Sequence, residues 1–400
     1  VPELVGLALP GGPAFVDELR RVWDRGDVAA PLPVDAPTAH LERLVEVVRP
    51  ARIVTPDGER RLPGSETPED HAGGLRPGDA LVVATSGTTG RPRAAIHTHA
   101  GVEAAAFATA TALGVAPDVR WLACLPLHHV GGLSVVTRAL LTGAGLEVVP
   151  RAEPAVLADA ARRGCTHVSL VPTLLRRIDP TPWRTILLGG SAPPVDRPRN
   201  TVTTYGCTET FGGVVYDGLA LNGVSVRTAT PPGTHWSVPA PIELRTPSLA
   251  RALRDGTVLG GDDGWFRTDD LGVLDPDTGR LTVTGRADDV VVTGGENVWP
   301  EPVERILATV PGVDEVAVVG REDREWGQRV VAVVVPSPGV EPPALEDLRA
   351  AVRSELPAAC APRELELRDS LPRTALGKIE RYRLRAPADG PTPPPGSPRT

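Results

Sequence analysis

Nine residues, Thr85-Ser86-Gly87-Thr88-Thr89-Gly90-Arg91-Pro92-Arg93, have the composition of a phosphate cradle. Glycines let backbone N–H groups approach an anion, hydroxyls donate further hydrogen bonds, and the Arg93 guanidinium can meet phosphate oxygens in bidentate fashion. The Walker spacing, with four residues between Gly and Gly-Lys-Ser/Thr, is absent, so a different nucleotide chemistry is required. The loop follows the apolar run Ala80-Leu81-Val82-Val83-Ala84, a buried strand, and leaves the sheet where ligands of α/β proteins bind. Taken alone, a Ser/Thr/Gly surface turn explains the same residues equally well.

Four further segments carry groups that an activated nucleotide needs. In Tyr205-Gly206-Cys207-Thr208-Glu209-Thr210, Glu209 offers a hard oxygen ligand to Mg²⁺ and Thr208 a hydroxyl for an α-phosphate. In Trp265-Phe266-Arg267-Thr268-Asp269-Asp270-Leu271-Gly272, a carboxylate on a turn can accept both ribose hydroxyls, though a solvated acidic turn would look the same. Gly285-Arg286-Ala287-Asp288-Asp289, followed by Gly294-Gly295-Glu296-Asn297, sets a charged pivot beside a double glycine, as a moving junction requires. Leu376-Gly377-Lys378 presents one lysine on a loop, by itself an ordinary solvated charge.

The elements around these segments alternate between helical and apolar strand patterns. A helix is expected at 15–25, stopping at Gly26, then helices near 100–112 and 132–142 and strands at 121–125, 146–149, 167–171 and 185–188. That order implies an α/β fold with mostly parallel sheets in a large N-terminal region, 1–286. Residues 240–284 read as a small β-rich subdomain of short runs between Asp/Gly turns. From 287 to 386 a helix at 301–309, strands at 313–319 and 329–335 and a helix at 345–355 form a mobile α+β C-terminal domain, with a hinge near Arg286–Asp289. The Pro-rich tail 387–400 is expected to be disordered.

Four hundred residues with 41% hydrophobic content can bury a large core, and a net charge of -8 disfavours nucleic acid as a partner. No apolar run is long enough for a membrane span, no leader pattern is read from Val1 onward, and the expected compartment is the cytoplasm. Four scattered cysteines without CxxC spacing, and histidines without HExxH, suggest neither disulfides nor zinc. Methionine is absent, for which composition offers no physical account.

In this order the motifs, together with Pro126-Leu127-His128-His129, resemble the adenylate-forming superfamily of acyl-CoA synthetases, adenylation domains and luciferases over residues 75–385. The resemblance implies a two-step ligase using ATP, Mg²⁺ and coenzyme A: a carboxylate forms an acyl-adenylate, and a thiol then displaces AMP. It implies that Thr85, Ser86, Gly87, Thr88, Thr89, Gly90 and Arg93 hold the β- and γ-phosphates. Glu209 would bind Mg²⁺, Thr208 would approach the α-phosphate, and Asp270 and Arg286 would hold the ribose. Gly189, Gly190, Tyr205 and Gly206 would wall the adenine site. Lys378 would bridge carboxylate and phosphate in the first step. The small domain would then rotate about Asp288, bringing Gly294, Gly295, Glu296 and Asn297 against the pantetheine arm. Two positions depart from the pattern: Arg93 stands for the usual lysine, and Asp269 for the usual glycine.

Within the superfamily the chain is most similar to o-succinylbenzoate:CoA ligases of menaquinone biosynthesis, through Pro126–Leu133 and the run Gly212-Gly213-Val214-Val215-Tyr216-Asp217-Gly218. That likeness implies an aromatic acid bounded by Ala192, Gly212 and Gly213 and met by His129, Ser191, Thr208 or Thr210. His129 would also gate the thiol's entry. An aryl-acid ligase of secondary metabolism, an adenylation module loading a carrier protein, and a nucleotide-binding protein without turnover remain alternatives, and a homodimer is left open.

Overall fold

Runs of wholly buried aliphatic residues build the sheets. Val5, Leu7, Val28, Ala29, Leu81 and Val82 are each inaccessible to solvent, the signature of strands covered on both faces. The structure, a computed structural model, describes residues 1–62, 72–85, 92–191, 193, 196–231, 233–373 and 379–386. The expected site residues Ser86, Gly87, Thr88, Thr89, Gly90, Ala192 and Lys378, and the tail 387–400, lie outside the described residues.

Contacts divide the chain into two units: Val1–Val226 with Leu244–Phe266, and Arg227–Glu243 with Arg267 onward. In the first unit one seven-stranded sheet runs Ala252–Leu253, Arg93–Thr98, Asp79–Thr85, Val28–Pro31, Leu4–Leu7, Arg52–Thr55, Gly58–Arg61. Its centre is parallel, and antiparallel strands close each edge. A second runs Leu219–Ala220, Gly212–Tyr216, Thr201–Cys207, Thr185–Leu188, His167–Leu170, Arg120–Ala123, Gly145–Val148, parallel except at the Gly212–Tyr216 hairpin. The helices His99–Ala112 and Val130–Thr142 help close the core, which joins Phe15, Leu19, Trp121, Leu133, Val136 and Phe211. Each such large apolar side chain, fully buried, contributes ~1.5–3 kcal/mol.

The second unit contains most of a four-stranded sheet, Ser225–Thr228, Ala240–Arg245, Phe266–Leu274, Leu281–Arg286. Its other sheet pairs Val313–Asp323 with Gly327–Pro336 in one long hairpin and adds Val291–Thr293, Glu296–Val298 and Glu364–Leu367. The helices Pro300–Leu307 and Leu345–Arg353 bury Val303, Leu307, Leu348 and Val352 against it. The expected helices and strands are found within a few residues. The acidic segment is different: Asp269 and Asp270 lie inside the nine-residue strand Phe266–Leu274, not on a turn.

Candidate active site

The strands on either side of the phosphate-type segment pair antiparallel. Thr85 ends one strand and Arg93 opens the next, and the two are cross-strand partners. The strand's start is anchored by Arg251, whose Nε and Nη2 lie 2.7 and 2.5 Å from the two oxygens of buried Asp79. Arg93 Nε stands 3.7 Å from Asp255 Oδ2 with both side chains about half exposed. Such a screened pair is weak, so the guanidinium can exchange that carboxylate for phosphate.

The Tyr205–Gly213 segment is a tight corner at the end of Thr201–Cys207. A Cβ on Gly206 would lie 1.9 Å from the Gly212 carbonyl oxygen, so the backbones meet there only because the side chain is hydrogen. Phe211 and Gly212 both adopt positive φ, 55° and 98°, a strained pair of the kind found at functional turns. Thr210 fastens the corner: its hydroxyl accepts from Cys207 N at 3.0 Å and lies 2.9 Å from the Gly212 carbonyl. Its one proton therefore goes to backbone. Glu209 is half-buried, its carbonyl receiving Ala250 N at 2.7 Å. One accessible carboxylate fits Mg²⁺, which is commonly held by one or two carboxylates plus substrate phosphates.

Behind this corner lies His97, wholly buried on the strand Arg93–Thr98. Its ring meets Phe211 edge-on at 5.0 Å, and neither ring nitrogen reaches hydrogen-bond geometry with a group among the described residues. Burial pulls its pKa down to about 4, against a smaller upward pull from the backbone of Thr208 and Ser248. His128 and His129 stack at 4.2 Å at the start of Val130–Thr142. Burial lowers them to about 4 and about 3, with neighbouring histidines adding to the effect. Both are neutral at pH 7 and can accept or donate one hydrogen bond each.

Sequence reasoning missed Arg138. It sits on the same helix as His129, is 4% exposed, and stacks its guanidinium 4.6 Å from the Trp121 ring centroid. Nε and Nη1 have no hydrogen-bond partner among the described residues, and burial lowers its pKa. It borders a small cavity with Thr109, Ser134, Thr137, Phe211 and Gly213. The corner residues Phe211 and Gly213 thus share a cavity with an uncompensated cation. Gly189 backs on Thr204, whose hydroxyl a Cβ would meet at 2.5 Å; Gly190 turns at positive φ, and Ser191 is exposed.

In the second unit Asp270 faces Arg286 across paired strands, with Nη1 3.2 Å from Asp270 Oδ1 and Nη2 3.0 Å from Asp269 Oδ2. Gly294 and Gly295, at φ 59° and 83°, form the tip of a hairpin whose far strand begins at Glu296 and Asn297, and all four residues are exposed. The Trp326 ring lies against Gly294, where a Cβ would be 2.9 Å away. Asp288 is exposed in a 3₁₀ turn, its carbonyl receiving Arg385 at 2.7 Å. Arg373 and Ile379, which flank Lys378 in sequence, pair as an antiparallel bridge.

Two sheets with helices in one unit, a small α+β unit, and the nucleotide-type residues above together define an adenylate-forming enzyme. Residues 6–245 match the AMP-binding enzyme family and residues 302–378 the AMP-binding enzyme C-terminal domain, and the chain belongs to that family. It is 38% identical over 372 residues to a probable 2-succinylbenzoate–CoA ligase of Mycobacterium tuberculosis, covering 83% of this chain and 94% of the relative. It is 30% identical over 328 residues to the 2-succinylbenzoate–CoA ligase of Listeria innocua, covering 76% and 69%. In fold it is similar to o-succinylbenzoate CoA synthetase from Bacillus subtilis with its acyl-adenylate intermediate, at TM-score 0.83, 23% identity, and coverage of 97% and 89%. An amide bond synthetase from Marinactinospora thermotolerans is similar at TM-score 0.82 and 24% identity, covering 96% and 90%.

Proposed function

We propose that the chain is an AMP-forming ligase that joins 2-succinylbenzoate to coenzyme A in the cytoplasm. One carboxylate of the acid attacks the α-phosphorus of ATP and pyrophosphate leaves; the thiol of coenzyme A then attacks the acyl carbonyl and AMP leaves. Thr85, the loop 86–90 and Arg93 bind the terminal phosphates, and Thr208 orients the α-phosphate. Glu209 holds Mg²⁺, which neutralises phosphate charge when bound. Asp270 and Arg286 take the ribose, and Gly189, Gly190, Tyr205 and Gly206 flank the base. Lys378 serves the first step and Gly294–Asn297 the second, with Asp288 as hinge between a domain at 1–286 and another at 287–386. Positioning and charge neutralisation supply most of the rate in such transfers.

The observation that carries the choice of acid is Arg138. 2-Succinylbenzoate has two carboxylates, and the one that is not activated enters the protein still charged. A buried guanidinium lacking acceptors on Nε and Nη1, beside the cavity at Phe211 and Gly213, fits that charge. The cavity is small, so contact runs through a bridging water or a side-chain shift. His129, Ser191, Gly212 and Gly213 would line the rest.

The test is ATP- and CoA-dependent AMP release by the full chain. The panel is 2-succinylbenzoate, its two analogues lacking one carboxylate each (4-oxo-4-phenylbutanoate and 2-butanoylbenzoate), benzoates and fatty acids. Selective turnover of the dicarboxylate, abolished in Lys378→Ala, is expected. Equal turnover of a monocarboxylate would favour an aryl-acid ligase of broader use, and no adenylate with any acid would favour a binding protein.

A further inference from the structure

Successive residues of a strand point to opposite faces, yet Asp269 and Asp270 both reach one guanidinium. Asp270 stands directly opposite Arg286 in the antiparallel register and takes Nη1 at 3.2 Å. Asp269, one residue earlier, takes Nη2 at 3.0 Å. The pairs differ in setting: the Asp270 and Arg286 side chains are 18% and 21% exposed, the Asp269 side chain 67%. Arg286 Nε is buried without a hydrogen-bond partner among the described residues. The orientation of the guanidinium plane is therefore set by its two terminal nitrogens, each on a different carboxylate.

Resting on the functional reading above, in which Asp270 receives the ribose, we infer that Asp269 is a positioning residue of that clamp. It holds Nη2 of Arg286, so that Nη1 keeps the Asp270 carboxylate turned to accept the two ribose hydroxyls. An acceptor aligned before the ligand arrives costs less ordering on binding. An exposed pair adds little to folding stability, so the effect of Asp269 appears in nucleotide recognition. Without it the guanidinium has one anchor and can rotate about its Asp270 contact, loosening the carboxylate it holds.

The test is calorimetric binding of AMP and of 2′-deoxy-AMP to the full chain, for wild type, Asp269→Ala, Asp269→Asn and Asp270→Ala. The assay needs no acid and no turnover. Wild type is expected to prefer AMP on the order of tenfold, the loss from one charge-assisted hydrogen bond. Asp269→Ala should cut the preference to about threefold or less, by weakening AMP while leaving 2′-deoxy-AMP nearly unchanged. Asp269→Asn keeps an oxygen acceptor and should fall between, and it also serves if the alanine variant does not fold. If Asp270→Ala abolishes the preference while both Asp269 variants retain it, the inference is overturned and the ribose assignment stands. If wild type shows no preference, or Asp270→Ala keeps it, the ribose assignment falls and the inference with it.

Discussion

Arg381 places Nη2 2.6 Å from Glu304 Oε2, binding the segment just past Lys378 to the helix Pro300–Leu307. Its Nη1 lies 3.6 Å from Asp289, next to the proposed hinge at Asp288. Arg373 and Ile379, on either side of Lys378 in sequence, pair as an antiparallel bridge. The described residues that flank Lys378 in sequence are thus held within the second unit. Arg381→Ala leaves Glu304, mostly buried, without this cation, while Asp289 keeps Arg385 at 3.4 Å. Breaking a buried pair from one side costs ~3–5 kcal/mol. The C-terminal unfolding transition in urea should move to lower concentration by that free energy divided by its m value, and Arg381→Lys should recover part of it. An unchanged transition would show that Glu304 finds another partner.

His97 makes stability depend on pH. Its folded pKa, about 4, lies below the ordinary 6.5, so the folded state refuses a proton that the unfolded chain accepts. The contribution is complete above pH 6.5 and is lost as pH falls toward 4, at about 1.4 kcal/mol per pH unit for a fully buried group. His128 and His129 act in the same direction. In His97→Gln the slope of unfolding free energy against pH, between pH 4 and 6.5, should fall by about one proton. The same slope in wild type and variant would place His97 in contact with water.

The burial of Arg381 and His97 has no local signal in the sequence, and the reason is physical. The phosphate loop, the Tyr-Gly-x-Thr-Glu corner and the Gly-Gly hairpin carry local signals: hydroxyls between glycines, or positive φ at Gly294 and Gly295. The burial of a charged or titratable group is decided by what packs over it. Arg138 is one arginine in an otherwise apolar helical run, Val130–Thr142, and nothing in its spacing says that Trp121 covers it. Asp270 read as part of a turn because Arg-Thr-Asp-Asp has low strand propensity. Its pairing with Arg286, sixteen residues away, overrides that preference.

Arg138→Leu should separate binding from folding. A buried guanidinium lacking acceptors contributes little to stability, and replacing buried charge with an apolar group is often neutral or stabilising by ~1–4 kcal/mol. The melting temperature should hold or rise, despite loss of the Trp121 stacking. For 2-succinylbenzoate, KM should rise ~10–100-fold, the loss expected for a charge-assisted contact. The monocarboxylate that keeps the reactive group should lose far less. Equal losses for both acids would remove Arg138 from substrate recognition.

Gly294→Ala should separate the two half-reactions. A Cβ there meets the Trp326 ring at 2.9 Å, and φ of 59° is strained for any residue with a side chain. The hairpin tip must shift, while Lys378 is more than eighty residues further along the sequence. ATP–pyrophosphate exchange, which reads the adenylation step, should therefore stay within about twofold of wild type. Thioester formation from the preformed adenylate should fall by at least about tenfold, since a small displacement of a positioning group is enough for such a loss. Lys378→Ala should do the reverse, removing exchange and leaving supplied adenylate competent for the thiol. A Gly294→Ala enzyme slowed equally in both steps would assign the hairpin to the fold rather than to the thiol.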